Sequence, residues 1–167
     1  RLSNLRSNFD TGVTIEFWLK KDGFSTNLTE REVVVDLWNN YASSSANYGR
    51  LRIDLDGASA GSPFRVTAHS GTASGSVMTS SIGSGITAAS LQSWGHYAFS
   101  FYNTGSNFIV KLYHNGALND TNTYTGNINE LNSKGMMGRI GALLAAISGT
   151  VDSTLTSRQV GAGKLSA

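Results

Sequence analysis

Apolar and polar residues alternate along two consecutive stretches of the chain, 96–102 and 108–114. A turn-forming run, residues 103–107, separates them, and Asn115-Gly116 follows the second stretch as a strong hairpin signal. Alternation with a period of two is typical of strands that pack one face on a core and turn the other to solvent or to a second layer. The pattern therefore predicts two antiparallel strands, with a third continuing from the Asn-Gly turn.

Similar short stretches recur along the chain, and none has the periodicity of an amphipathic helix. Many short strands with few helices favour an all-β, two-sheet antiparallel jelly-roll sandwich, with an immunoglobulin-like sandwich as the alternative. The further predicted strands are 13–20, 33–38, 50–56, 64–69, 76–80, 118–124 and 139–145. The candidate core side chains are Phe17, Leu37, Leu51, Ile53, Phe99, Phe101, Val110 and Leu112, and Trp18 and Trp94 are expected to have structural roles.

The composition suits such a fold and excludes several classes of function. The 167 residues are enough for one domain with a core of its own, and 19 glycines against 1 proline fit a turn-rich β protein. The chain has no cysteine, which excludes disulfides, thiolate zinc sites and a cysteine nucleophile. The net charge of +2 includes no basic run interleaved with aromatics, so we expect no nucleic-acid partner. No apolar run approaches the ~20 residues of a membrane helix, so we expect no membrane insertion.

Two motifs resemble those of the laminin G-like and concanavalin A-like lectin superfamily. The first is 13–20, Val-Thr-Ile-Glu-Phe-Trp-Leu-Lys, which is similar to an early strand of that family. The second begins at Trp94, continues with His-Tyr-Ala-Phe at 96–99 and ends in Val-x-Leu-Tyr-x-Asn-Gly at 110–116. The resemblance implies a concanavalin A-like jelly roll in which residues 1–167 form a single domain.

The ends of the chain differ from the pattern that the resemblance implies. Domains of this family usually have one strand before the first motif and a closing strand at the end, and these two terminal strands pair with each other. Here only a dozen residues precede Val13, and the chain stops at 163–167, where the closing strand is expected to begin. We therefore expect a fragment of a longer polypeptide that lacks its terminal strands, with the remainder of the parent polypeptide as a partner.

Paired carboxylates are the first candidates for catalysis, because glycoside hydrolases use two carboxylates that flank the scissile bond. Glu30 and Glu32 stand at strand spacing, and Asp54 and Asp56 share a predicted strand face. Neither pair matches the Glu-x-Asp-x-x-Glu pattern that the resembling hydrolases use, so we expect both pairs to lie on solvated strand faces. No Gly-x-Ser-x-Gly elbow stands between a strand and a helix. The sequence therefore assigns no catalytic residue.

The three histidines, His69, His96 and His114, fall at or near the ends of predicted strands. Three histidines satisfy the ligand count of a zinc site, but their separation in the sequence does not predict that they converge. A lone strand histidine is more often a half-buried packing residue, and that is the role expected of each.

A calcium site is suggested by the resemblance, because laminin G-like modules often bind calcium through oxygen ligands at the sandwich rim. Calcium takes six to eight oxygen ligands, and segment 115–122 is dense in side-chain oxygens. The same residue types form plain turns, so a turn remains the alternative. Calcium is the one cofactor considered, and its candidate ligands are Asp54, Asp56, Asn115, Asn119 and Asp120.

A carbohydrate site usually combines a flat aromatic ring with hydrogen-bonding side chains. The best such cluster begins at the end of strand 33–38 and runs into the polar loop 39–49. That loop is long for a simple hairpin, and long loops in compact domains are often functional. The candidate ligand-binding residues are Trp38, Asn39, Asn40, Tyr41, Tyr48 and Arg50.

Together these observations favour a non-catalytic carbohydrate-binding or adhesive recognition module of a larger surface or phage-like structural protein. The alternatives are a glycoside hydrolase or lyase of the same superfamily and a purely structural virion or assembly domain. A glycan or another protein is the expected partner. We expect an extracellular, cell-surface or virion location rather than a cytoplasmic one, although fold alone does not assign function.

Overall fold

The computed structural model describes residues 5–24, 31–42, 44–57, 59, 61–71, 77–132 and 135–141, and the backbone of 159–161. Its strands in chain order are β1 Val13–Leu19, β2 Arg31–Trp38, β3 Gly49–Asp56, β4 Phe64–Ser70, β5 Val77–Ile82, β6 Gly95–Thr104, β7 Asn107–His114, β8 Ala117–Thr125, β9 Met137–Ile140 and β10 Gln159–Gly161. A 3₁₀ turn, Ser90–Gln92, precedes β6. The described residues contain no helix that is long and apolar enough to cross a membrane.

The strands form two sheets. A four-stranded antiparallel sheet has the order β1-β6-β7-β8, and a six-stranded sheet contains the other strands. In the latter, β5-β4-β3-β2 are antiparallel neighbours, and the far edge of β2 pairs antiparallel with β9 and parallel with β10. The predicted all-β, two-sheet sandwich is confirmed.

The core lies between the two sheets, where alternate residues of each strand meet. Phe17 stacks on Phe99 with ring centroids 5.9 Å apart, and the Phe64 ring lies 4.9 Å from that of Tyr97. Such aromatic contacts add to the gain from burying apolar area. All eight candidate core residues lie here: seven are buried, and Phe17 is partly buried at the edge of the cluster.

A β-bulge in β2 changes the face on which its side chains lie. The register with β3 shifts between Val33 and Val35, so that Val33 is opposite Asp54 while Val35 is opposite Ile53. Val34 and Val35 therefore both pack in the core, and Asp36 lies on the outer face of the six-stranded sheet. The bulge explains how a run of three valines fits a strand whose outer face is charged.

Several strand boundaries differ from the sequence prediction. β2 begins at Arg31, two residues before the predicted start, and β5 ends at Ile82. The strand predicted at 139–145 is Met137–Ile140 in the structure, and residues 142–145 lie outside the described part of the chain. β10 carries no alternating apolar pattern in the sequence, so its pairing with β2 was not predicted.

The expectation that Trp18 and Trp94 serve as packed structural residues is wrong. Their exposed fractions are 65% and 62%. Trp18 shares the outer face of β1 with Thr14 and Glu16, since the odd-numbered residues of that strand face the core. Trp94 lies just before β6, where Gly95 leaves room for the Tyr97 ring: a Cβ at Gly95 would be 2.8 Å from the Tyr97 hydroxyl.

Candidate functional site

Asn39 organises the loop that sequence analysis selected for carbohydrate binding. Its buried side-chain amide donates to the carbonyls of Asn47 at 2.7 Å and Glu130 at 3.0 Å. Its Oδ1 accepts from the backbone N–H of Gly49 at 3.1 Å and of Tyr41 at 3.3 Å. Asn39 therefore holds the two ends of the loop together and is turned inward, away from a ligand in solvent.

The other residues of this set divide between the surface and the interior. Trp38 donates its indole N–H to the Tyr41 carbonyl at 2.9 Å, and the Tyr41 side chain is 42% exposed. Asn40 is exposed and adopts a left-handed φ of 67°, which asparagine tolerates in turns. Tyr48 and Arg50 are buried, and the Tyr48 ring lies 5.6 Å from that of His69. The structure brings Trp38, Asn40 and Tyr41 together at the rim.

Arg50 belongs to a charged layer on the outer face of the six-stranded sheet. Its guanidinium donates twice to Asp36, at 2.8 and 2.7 Å, and Asp36 is completely buried. Burial acts to lower the pKa of Arg50, but the hydrogen bond and charge of Asp36, with a smaller effect of Tyr48, outweigh it and raise the pKa above its ordinary value. The two parallel hydrogen bonds give the bidentate geometry that a buried arginine–carboxylate pair needs.

Two further ion pairs extend this layer along β3. Arg52 donates to Asp54 at 2.7 Å, and Arg31 lies 3.3 Å from Asp56. Burial raises the pKa of Asp54, while the adjacent Arg52 opposes that rise. One oxygen of Asp54, Oδ1, has no hydrogen-bond partner within the described residues.

The predicted solvation of Glu32, Asp54 and Asp56 is wrong, since all three are buried and ion-paired. Glu32 pairs with Lys21 at 2.7 Å, and all eight residues of β3 are buried, so both faces of that strand are covered. Glu30 lies outside the described residues.

The calcium candidates of the four-stranded sheet are engaged in structural hydrogen bonds. Asp120 accepts through Oδ2 from the backbone N–H groups of Gly83 and Ser84, each at 3.0 Å, and through Oδ1 from its neighbour Thr121 at 2.8 Å. Asn119 donates to the Ser84 carbonyl at 3.0 Å. These bonds tie the edge of β8 to the turn after β5.

Asn115 lies beside His96 and His114 at one end of the four-stranded sheet, whereas His69 belongs to the other sheet. Asn115 and Gly116 form the β7–β8 turn with positive φ values of 51° and 83°, and Asn115 Oδ1 accepts from the His96 N–H at 2.9 Å. The His114 ring stacks on Tyr97, whereas His69 lies against Tyr48 in the other sheet. Among the described residues, no group of three His, Cys, Asp or Glu side chains is arranged to hold a metal ion.

The outer face of the four-stranded sheet carries aromatic side chains that sequence analysis did not select. Trp18 is directly opposite His96 across the β1–β6 pair, with ring centroids 5.3 Å apart, and His96 Nε2 is 3.5 Å from a carboxylate oxygen of Glu16. Trp94 lies two residues before His96. We call Trp18, Trp94 and His96 the aromatic surface. The sequence did indicate that Trp18 is on the surface, because Trp18 alternates in step with the polar residues Thr14, Glu16 and Lys20.

The family comparison agrees with the fold. The chain belongs to the concanavalin A-like lectin/glucanase superfamily, because the family model Laminin_G_3 matches residues 1–154. No curated protein matches the chain. A solved structure that it resembles is an endo-1,3-β-glucanase from Streptomyces sioyaensis, with 13% sequence identity and a TM-score of 0.46. The match covers 81% of this chain and 53% of that enzyme, so the chain spans about half of its length.

Proposed function

We propose that the chain is a non-catalytic carbohydrate-binding or adhesive recognition module of a larger surface or phage-like structural protein, and that its ligand lies on the aromatic surface. The observation that carries the proposal is the exposure of Trp18, at 65% on the outer face of β1, and of Trp94, at 62% just before β6. Exposed indole rings offer flat apolar faces with a polar edge, which suit the C–H faces and hydroxyl edges of a sugar ring.

The carboxylates of the charged layer support recognition over hydrolysis. A glycosidase needs two carboxyl groups that reach opposite sides of a bound glycosidic linkage. Asp36, Asp54 and Asp56 are instead buried and paired with arginines. The superfamily contains both lectins and glucanases, so membership itself favours neither function.

A glycan array followed by titration of the glycans that bind tests the proposal. We expect Trp18→Ala and Trp94→Ala each to weaken binding roughly tenfold, a loss of about 1.4 kcal/mol. Leu118→Ala is the matched control, because Leu118 is 56% exposed on an edge strand of the same sheet and has no aromatic face. Wild-type affinity in both tryptophan variants, with unchanged melting temperatures, would contradict the aromatic surface as the site.

The rim loop is the second location to examine, because it retains an exposed tyrosine beside an amide. If Tyr41→Ala and Asn40→Ala weaken binding while the tryptophan variants do not, the ligand lies at the loop. A hydrolysis screen on the same glycans addresses the enzyme alternative: turnover that disappears in Glu30→Gln or Asp54→Asn supports catalysis. An empty array together with ordered self-assembly of the full-length protein supports the structural alternative.

A further inference from the structure

The two edge strands of the four-stranded sheet, β8 and β1, differ in their contacts with the rest of the sandwich. At β8, Asn119, Asp120 and Asn122 donate to or accept from residues 80–84 of the facing sheet, which closes that side of the sandwich. At β1, the described residues provide pairing with β6 on one side and no strand on the other. The β1–β6 register contains no bulge and β1 contains no proline, so two of the usual protections of an edge strand are absent from β1.

An apolar groove runs beside the unpaired edge of β1. Its volume is about 480 Å³, and it lies between residues 13–16, the segment 5–7 and β9. Val13, Ile15, Phe17 and Leu19 face the core from β1 but are only partly buried, and Ile140 is exposed on β9. Within the described part of the chain no strand covers this side, so a strand added to β1 would cover apolar side chains as well as satisfy backbone groups.

We propose that the strand added at this edge is β1 of a second copy of the chain, paired antiparallel about a two-fold axis at Trp18. In that register the two β1 strands pair with each other over Phe17–Leu19, with Trp18 opposite its own counterpart. Glu16 is opposite Lys20, the residue that directly follows β1, of the second copy, twice by symmetry. On the inner face Phe17 is opposite Leu19 of the second copy. The result is a continuous eight-stranded sheet whose outer face carries the aromatic surfaces of both copies.

Charge selects this register over its neighbours. A two-fold axis at Phe17 leaves Glu16 opposite Trp18, and one at Glu16 places two glutamates opposite each other. A two-fold axis at Leu19 places Glu16 opposite Asp22. Like charges directly opposite are destabilising, whereas opposite charges stabilise the pair, so only the axis at Trp18 brings carboxylate and ammonium together. This inference concerns assembly and does not depend on the proposed glycan site.

Sedimentation velocity over a range of protein concentrations, at low and at high salt, tests the dimer. We expect Glu16→Lys and Lys20→Glu each to raise the dimer dissociation constant roughly tenfold, because each places like charges together, and the double exchange to restore dimerisation. Lys111→Glu is the control, since Lys111 lies on the same outer face two strands away from the edge. A wild-type protein that stays monomeric at about 100 μM overturns the proposal, as do folded single variants that dimerise normally.

The absence of cysteine from the chain allows a direct test of the register. Two residues that face each other across a two-fold axis in antiparallel strands have Cβ atoms ~4.5–5.5 Å apart, close to the span of a disulfide. Trp18→Cys should therefore form a covalent dimer on mild oxidation, whereas Thr14→Cys, which is opposite Asp22, should not. Equal cross-linking of the two variants, or faster cross-linking of Thr14→Cys, would show that the copies pair in another way.

Discussion

Two tyrosine hydroxyls inside the sandwich differ in whether they form a hydrogen bond. The Tyr124 hydroxyl forms a hydrogen bond with Ser80 of the facing sheet. The Tyr97 hydroxyl is buried and has no hydrogen-bond partner within the described residues. Burial raises the pKa of both phenols, for Tyr124 against the opposing effect of its hydrogen bonds. An unsatisfied buried hydroxyl costs ~1–3 kcal/mol, so Tyr97 contributes its ring and not its oxygen to stability.

We predict that Tyr97→Phe leaves the free energy of unfolding unchanged or raises it by about 1 kcal/mol, while Tyr124→Phe lowers it by about 1 kcal/mol. Urea unfolding at neutral pH measures both. Because the folded-state pKa values are raised, the unfolded chain releases these protons first, and the stability present below about pH 10 falls as the pH rises further. Tyr97→Phe should weaken that alkaline loss. Equal destabilisation by the two substitutions would contradict the assignment.

At the scale of the strands, the alternation of apolar and polar residues does not predict that the charged layer is buried. The sequence pattern predicted every described strand except β10, and the apolar residues that pack between the two sheets. It did not predict that Asp36, Asp54 and Arg52 are buried, because a period of two shows only that a face is polar. The bulge at Val33–Val35 also had no signal beyond three consecutive valines.

The Asp36–Arg50 pair gives a prediction about β2 and β3. Asp36→Asn removes the charge that compensates buried Arg50, and we expect the free energy of unfolding to fall by about 3 kcal/mol. Glu16→Gln is the control at protein concentrations where the chain is monomeric: Glu16 is exposed beside His96, so its substitution should change stability by less than about 0.5 kcal/mol. Replacing both charged partners, with Asp36→Asn and Arg50→Met, should recover part of the loss. Similar small effects of Asp36→Asn and Glu16→Gln would show that the pair does not stabilise the sheet.

At the scale of the whole molecule, polar side chains close one side of the sandwich at β8, while at β1 the described residues supply no strand beyond the sheet edge. Sequence reasoning identified the residues of the closed side as oxygen-rich, and interpreted them as calcium ligands or turn residues. Their pairing with residues 80–84 depends on bringing β5 and β8 together from distant parts of the chain, which no local pattern predicts. Sequence analysis also missed the exposure of Trp18 and Trp94, because it gave both residues structural roles. The alternation of β1 already placed Trp18 on the polar face of that strand.

The closed side gives the last prediction. The carboxylate of Asp120 accepts three backbone N–H groups, and the two from Gly83 and Ser84 link β8 to the turn after β5. We therefore expect the melting temperature of the wild-type protein to be the same in EDTA and in millimolar calcium, and Asp120→Ala to lower the free energy of unfolding by about 2 kcal/mol in both. Asp22→Ala, at an exposed position before β2, is the matched control and should be neutral. Thermal scans of the wild type and the two variants, with and without chelator, distinguish the two roles. A calcium-dependent rise in the wild-type melting temperature that vanishes in Asp120→Ala would instead make Asp120 a metal ligand.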